Sequence, residues 1–468
     1  MKRCARLRFI SRKALDSSTQ IRCELRGASR RSAIMPGRLN IFQRSMLQWN
    51  DLHPYNAVHV ARIPAALDLE RLRRAIGRTL ELQGLTNLSW HRDAGAYGYH
   101  GGPAVEDCAI KILPTGAAAS GAMQAEIEQQ LNTGFVQGER LNPFRFFVDA
   151  EDDSFSLGLV YFHPVADAEA MVQLMTLFVE SYRGGVGDEF KNLREIHPPR
   201  HDRLRRQSPA LLLRKLVALP LALRDMRRSS RPHYGDAGDF RNGFQFFQIP
   251  PGGVRRLLET SRHLGVTLHD LFLALLLKAL APLAADRLGS RKRRRISIGS
   301  IVNLRKDLGP DFAGAFGLFL GSFVVTHEVP EGLSVKALAG DIRQQTLRIK
   351  QRKLYLGVPT ELIFARLFLS LFSTEQRKKF YQKNYPLWGG ITNMNLNRLG
   401  EQNDGTAMSD YYRAVSTGPA TPLVLSMTTV GEVVNVGVSY RTTVFGAVDI
   451  ARVQQGMLEG IQSLAGGA

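Results

Sequence analysis

The sequence predicts an α/β (α+β) protein, a two-layer sandwich built in two halves. Three observations lead there. At 468 residues the chain exceeds the size at which a single hydrophobic core stops growing, so a second core is the default expectation. Hydrophobic residues make up 44% of it, enough to fill both cores. Segments of period two and period 3.6 alternate along both halves, the pattern produced by mixed sheets covered with helices.

The elements follow in order. Residues 1–34 are rich in Arg and Ser, poor in acids and lack an apolar run, so they read as a basic, disordered leader rather than a secretory signal. Met35 stands just before the first folded-looking sequence. In the N-terminal half, 35–199, the run from Tyr55 to Ile63 alternates like a strand. Asp68 then caps a helix with apolar residues at Leu69, Leu72, Ala75 and Ile76. Residues 122–132 form another helix, and Ser154 to Phe162 is a strand with Phe155, Leu157, Leu159 and Tyr161 on one face. The clearest amphipathic helix follows, with Met171, Leu174, Met175, Phe178, Val179 and Tyr182 on one stripe and a stop at Gly184-Gly185. Residues 200–240 are a basic linker whose leucines between Leu211 and Leu223 suggest a short amphipathic helix. The C-terminal half, 241–468, repeats the logic. Strands are expected at 244–249, 295–302, 320–327, 388–395, 422–430 and 433–440, and helices at 254–264, 333–351 and 449–464. Thr267 caps a helix to about Ala281 that is apolar all round and therefore buried.

The net charge of +20 suggests a polyanion partner until it is located. Residues 1–45 carry a net of +10, residues 200–231 a net of +8, and the run 291–295 adds +5, leaving the rest of the chain near −3. The globular body is close to neutral, and no module that would reach a nucleic-acid groove is evident, so nucleic-acid binding is disfavoured. The segment 200–231 leaves open a peripheral membrane contact. Its bland reading is a solvated connector. The longest apolar runs are far shorter than the roughly 20 residues of a membrane span. Cys4, Cys23 and Cys108 form no CxxC pair and have no neighbouring histidines, so no metal site is expected and the thiols read as inert in a reducing, cytoplasmic setting.

The chemistry centres on His163, which ends a strand and stands four residues before Asp167. A histidine at a strand-to-helix junction suits proton abstraction near neutral pH. Asp167 opens the amphipathic helix and reads first as its N-cap, or else as half of a buried ion pair that fixes the loop holding His163. A His-x-x-x-Asp spacing alone is a weak signal. No G-x-S-x-G elbow or phosphate loop appears, which disfavours a serine acyl-enzyme.

Phe162-His163-Pro164-Val165-Ala166-Asp167-Ala168 resembles the HHxxxDG signature of the CoA-dependent acyltransferase superfamily, which includes peptide-synthetase condensation domains and stand-alone alcohol acyltransferases. The stretches Ile298 to Arg305, Phe316 to Phe323 and Gly390 to Asn395 resemble later family segments in matching order, over roughly residues 36–466. The resemblance implies two chloramphenicol-acetyltransferase-like halves forming a V with a central channel. It makes His163 the general base and Asp167 a structural group paired with Arg305. Asn393 is a candidate channel or oxyanion group, though a turn-capping role competes. The co-substrate implied is acyl-CoA or an acyl group on a phosphopantetheinyl carrier protein, and the acceptor a small molecule or lipid bearing a hydroxyl or amine. Two positions depart from the signature: Phe162 replaces its first histidine and Ala168 its glycine. The competing readings are a catalytically silent docking protein of the same fold and a basic protein of membrane surfaces or nucleic acid. His53 and His327 read as structural.

Overall fold

The computed structural model describes residues 37–102, 109–115, 121–135, 140–184, 224, 227–357, 362, 371–397 and 408–465. The leader 1–34 and the linker leucines 211–223 lie outside the described residues. The first half contains β1 (Gly37–Arg38), α1 (Ile41–Asn50), β2 (Asn56–Ile63), α2 (Leu69–Leu82), β3 (Leu88–His91), β4 (Ala96–Tyr99), β5 (Ile110–Ile112), α3 (Ala122–Asn132), β6 (Phe144–Ala150), β7 (Phe155–Phe162) and α4 (Ala168–Arg183). The second contains β8 (Asn242–Ile249), α5 (Pro251–Leu264), α6 (Leu268–Leu280), β9 (Ile296–Asn303), β10 (Leu320–His327), α7 (Val335–Gln351), α8 (Thr374–Asn384), β11 (Leu387–Asn395), β12 (Asp410–Val415), β13 (Leu423–Val430), β14 (Val433–Arg441) and α9 (Ala447–Gln462).

Two mixed sheets carry the two cores. The second-half sheet has the order β10-β9-β11-β13-β14-β8, with β11 parallel to both β9 and β13. The helix α6 packs beneath it between α7 and α9. Thr267 and Asp270 close a capping box at its start, and ten of its thirteen residues are buried, as its all-round hydrophobicity requires. The first-half sheet has the order β12-β2-β7-β6-β5. Its edge strand β12 comes from the second half and pairs antiparallel with β2, setting Tyr411 opposite Ala61 and Arg413 opposite His59. The division at 241 therefore does not separate two closed sheets: the C-terminal half lends a strand to the N-terminal one. Gly437 permits the crossing, because a Cβ there would lie 2.0 Å from the Arg413 carbonyl oxygen.

The strand β6 escapes sequence patterning for a physical reason. Its Phe146, Phe147 and Val148 are all buried, one face under α4 and the other under the rest of the half, so the period-two signal is lost. The helix α4 is held at both ends: Asp167 accepts from the Ala170 amide, and Gly184 takes the left-handed conformation at φ 84°. Two of the basic segments also meet. Ser229 bridges to Arg295, so residues 227–231 lie beside the run 291–295. Among the described residues no single helix is long and apolar enough to cross a membrane. The bent pair α5 and α6 passes that test jointly, but it turns by 109°, and α6 is core.

Candidate active site

The strand β7 delivers His163 directly into a single 3-10 turn, His163–Val165, before α4 begins. The side chain is 8% exposed and fixed on several sides. Its backbone amide donates to the Tyr55 carbonyl at 3.2 Å, its ring stacks on Tyr55 at 5.4 Å and 16°, and Tyr161 meets it edge-on at 5.6 Å. The turn itself is tied to α1, where Gln43 Nε2 donates to the Pro164 carbonyl at 3.0 Å.

His163 Nδ1 lies 3.2 Å from the Ala166 carbonyl oxygen. A carbonyl can only accept, so Nδ1 carries the hydrogen and Nε2 is left with its lone pair. Burial pushes the pKa of this imidazole down to about 4, against smaller upward pulls from the Ala166 carbonyl and the Asp167 charge. At neutral pH the ring is oriented and uncharged.

Asp167 is buried beside the turn and both of its carboxylate oxygens are committed away from the imidazole. Oδ1 accepts from Ala170 N at 3.1 Å, while Oδ2 accepts from Arg305 Nη1 at 2.7 Å and from Phe319 N at 2.9 Å. Cap and ion pair thus coexist, one on each oxygen. Arg305 opens a short turn after β9, donates its Nη2 to the Ala315 carbonyl at 2.9 Å and lies 4.6 Å over the Phe319 ring. Glu169, 3.6 Å from Arg305 Nε and hydrogen-bonded to Asn303, flanks the pair, with its own pKa raised by burial. Asp167 N also donates to the Gly317 carbonyl at 2.9 Å. One residue of the first half therefore holds Arg305, Gly317 and Phe319 of the second.

Asn393 is not brought to this cluster by any contact. It is an exposed mid-strand residue of β11, paired in register with Met427. Turn capping after this strand belongs instead to Asn395, whose Oδ1 accepts from Asn397 N at 3.0 Å. His53 bonds Asn132 at 2.9 Å and His327 lies 3.3 Å from Asp341, both peripheral.

Sequence reading missed the polar layer beside His163. His59 on β2 is fully buried, with Nδ1 at 2.6 Å from Tyr411 Oη and its ring edge-on to Tyr161 at 5.5 Å. Burial, then the Arg413 charge, then His163 drive its pKa well down. A histidine at an apolar position of an alternating strand was the available signal for His59. Tyr411 and Arg413 had none, because nothing local announces that β12 crosses to the other sheet. Among the described residues no group of three His, Cys, Asp or Glu could hold a metal ion.

No family model and no curated protein matches the sequence. Solved structures do. The cyclization-docking bidomain of EpoB from Sorangium cellulosum matches at TM-score 0.68 and 14% identity over 98% of this chain and 91% of that one. The first condensation domain of the calcium-dependent antibiotic synthetase, in complex with a substrate analogue, gives 0.67 and 14% over 92% and 97%. The X-domain in complex with OxyB from teicoplanin biosynthesis gives 0.58 and 15% over 94% and 95%. The chain therefore has the condensation-domain fold, the pseudo-dimeric architecture of chloramphenicol-acetyltransferase-like halves.

Proposed function

We propose that this protein is a condensation-type acyltransferase that moves an acyl group from a thioester to a hydroxyl or amine, with His163 as general base. The observation that carries the reading is the uncharged imidazole of His163, with Nδ1 pinned to the Ala166 carbonyl and Nε2 free to take a proton. The acceptor X–H gives its proton to Nε2 as X attacks the thioester carbonyl. The tetrahedral adduct collapses to the new ester or amide, and the departing thiolate takes the proton from the imidazolium. No bond to the protein forms. Asp167 and Arg305 act on His163 chiefly by fixing the turn and joining the halves, and the Asp167 charge adds a small upward pull on the imidazole pKa. Asn393, on an exposed strand face, is a candidate oxyanion donor.

The thioester is carried on CoA or on a phosphopantetheinyl carrier protein. Likeness to synthetase condensation domains supports the carrier, which would be a partner of the folded chain. The test is product analysis by mass spectrometry with a panel of acyl-CoAs and acyl carrier proteins, for wild type and His163→Ala. Removing a general base costs about 10²- to 10⁴-fold in rate, and that loss is expected. Equal turnover by the variant would overturn the reading.

One observation favours a second reading. Phe162 occupies the first histidine of the signature, and one structure of this fold, the X-domain, was solved in complex with OxyB. On that reading the chain docks a partner and catalyses nothing. A binding assay that succeeds while every donor stays intact would select it.

A further inference from the structure

Arg413 is 3% exposed and sits on the crossing strand β12, opposite His59 in register. Residues opposite one another in an antiparallel pair project to the same face. That face continues through His59 to Tyr161, whose ring lies 5.5 Å from His59 and 5.6 Å from His163. Arg413 therefore belongs to the layer that contains the candidate base.

Its guanidinium is fixed along one edge. Nε donates to Thr428 Oγ1 at 2.9 Å, and Nη2 to the carbonyls of Met427 at 2.7 Å and Thr392 at 3.5 Å, all in the second half. All three acceptors are neutral. Among the described residues the two hydrogens of Nη1 have no acceptor, and no carboxylate lies within 4 Å. The nearby phenols of Tyr411 and Tyr161 are held uncharged by burial, and the Arg413 charge helps push the pKa of His59 down. A guanidinium stays charged in a protein, and a buried charge costs several kcal/mol unless an opposite charge answers it.

We propose that Arg413 receives a carboxylate of the acyl acceptor, which Nη1 holds in the layer that His59 and Tyr161 connect to His163. The inference rests on the acyltransferase reading and adds the class of acceptor. A single negative charge fits better than a phosphate dianion. Both neighbouring histidines are uncharged, so the layer holds one positive charge and a monoanion neutralises it. Binding the carboxylate there would direct the acceptor's hydroxyl or amine toward Nε2 of His163. The rival role is a purely structural staple that joins β12 to β13.

Two measurements on the full chain separate these roles. The first needs no turnover. Propionate and, as neutral control, propionamide are titrated at constant ionic strength while the imidazole NMR signals of His59 and His163 are followed, assigned by their loss in His59→Gln and His163→Gln. Saturable shifts with propionate alone are expected in wild type, weaker ones in Arg413→Lys, which keeps the charge, and none in Arg413→Gln. Shifts that are absent in wild type, or equal in Arg413→Gln, overturn the proposal. The second compares alanine with alaninamide, and 3-hydroxybutyrate with its methyl ester, as acceptors. The acid of each pair is expected to be favoured at least about ten-fold in kcat/KM, the scale of one charge-assisted contact, and chiefly through KM. Arg413→Gln should bring the ratio close to one. Equal use of acid and neutral acceptor by wild type refutes the assignment. If propionate binds as described but no acceptor is acylated, the acyltransferase reading fails and the anion site stands.

Discussion

Arg305→Met tests how the two halves are joined beneath His163. The substitution keeps most of the apolar stem and removes the guanidinium, leaving Asp167 buried with Phe319 N and Ala170 N as its remaining donors. Breaking a buried ion pair by deleting one partner costs about 3–5 kcal/mol, because an unpaired charge stays behind. Asp167→Leu costs the same pair, plus about 1 kcal/mol for the lost cap of α4 and about 1–3 kcal/mol for the orphaned Phe319 amide. In the double variant neither charge is left, so the combined loss should fall short of the sum by about 2–4 kcal/mol. Equilibrium urea unfolding at neutral pH of the four proteins of the cycle measures that coupling. A coupling under about 0.5 kcal/mol, the usual scatter of independent sites, would refute the claim that Asp167 and Arg305 act as one unit.

Acid should destabilise the fold in a defined window. Unfolded histidines protonate near 6.5, whereas folded His163 and His269 do so only near 4, each held down chiefly by burial. Between these values the unfolded chain binds more protons, so the contribution of these two histidines falls as pH drops from 6.5 to 4, and buried His59, also held well below its usual value, adds to the loss. At 1.36 kcal/mol per pKa unit the loss is up to about 3 kcal/mol per histidine, read from urea midpoints against pH, and a flat profile would contradict it. The same shift places the acid limb of kcat/KM near pH 4, and Tyr55→Ala, which uncovers the stacked face of His163, should move that limb up toward 6.5. Gly437→Ala would drive a methyl group into the backbone of β12 and should cost upward of about 2 kcal/mol. Gly340→Ala, in α7 with open space around it, is the control and should stabilise by about 0.5–1 kcal/mol; equal effects in thermal unfolding would show that the β12 contact is not tight.

The sequence is legible where a local rule acts alone. The helix α4 announces itself through its stripe, the Asp167 cap and the Gly184 stop, and the strand β10 falls at the expected 320–327 because one face is buried and the pattern is clean. Legibility fails where burial is two-sided, as in β6, or where a strand's partner is far away in sequence. The segment Asp410–Val415 carries two charges and pairs with residues some 350 positions earlier. Asp167 shows a different limit. Two competing local readings, cap and ion pair, proved to be separate uses of its two oxygens. Periodicity sees a residue once, whereas a carboxylate has two acceptors to distribute.

The same crossing strand explains why the candidate site cannot be assigned to one half. The first half supplies His163, the Tyr55 stack and the Ala166 carbonyl that fixes the tautomer. The second supplies Arg305, which anchors the turn through Asp167, and lends β12, which brings Tyr411 and Arg413 against His59. A cation lent by one half thus helps keep the histidine beside the candidate base uncharged. Separation of the halves would remove the ion pair, the edge strand and this field together. The candidate base has its orientation from local sequence, whereas the polar layer beside it is complete only when the chain has returned, some 250 residues later, to add β12 to the first sheet.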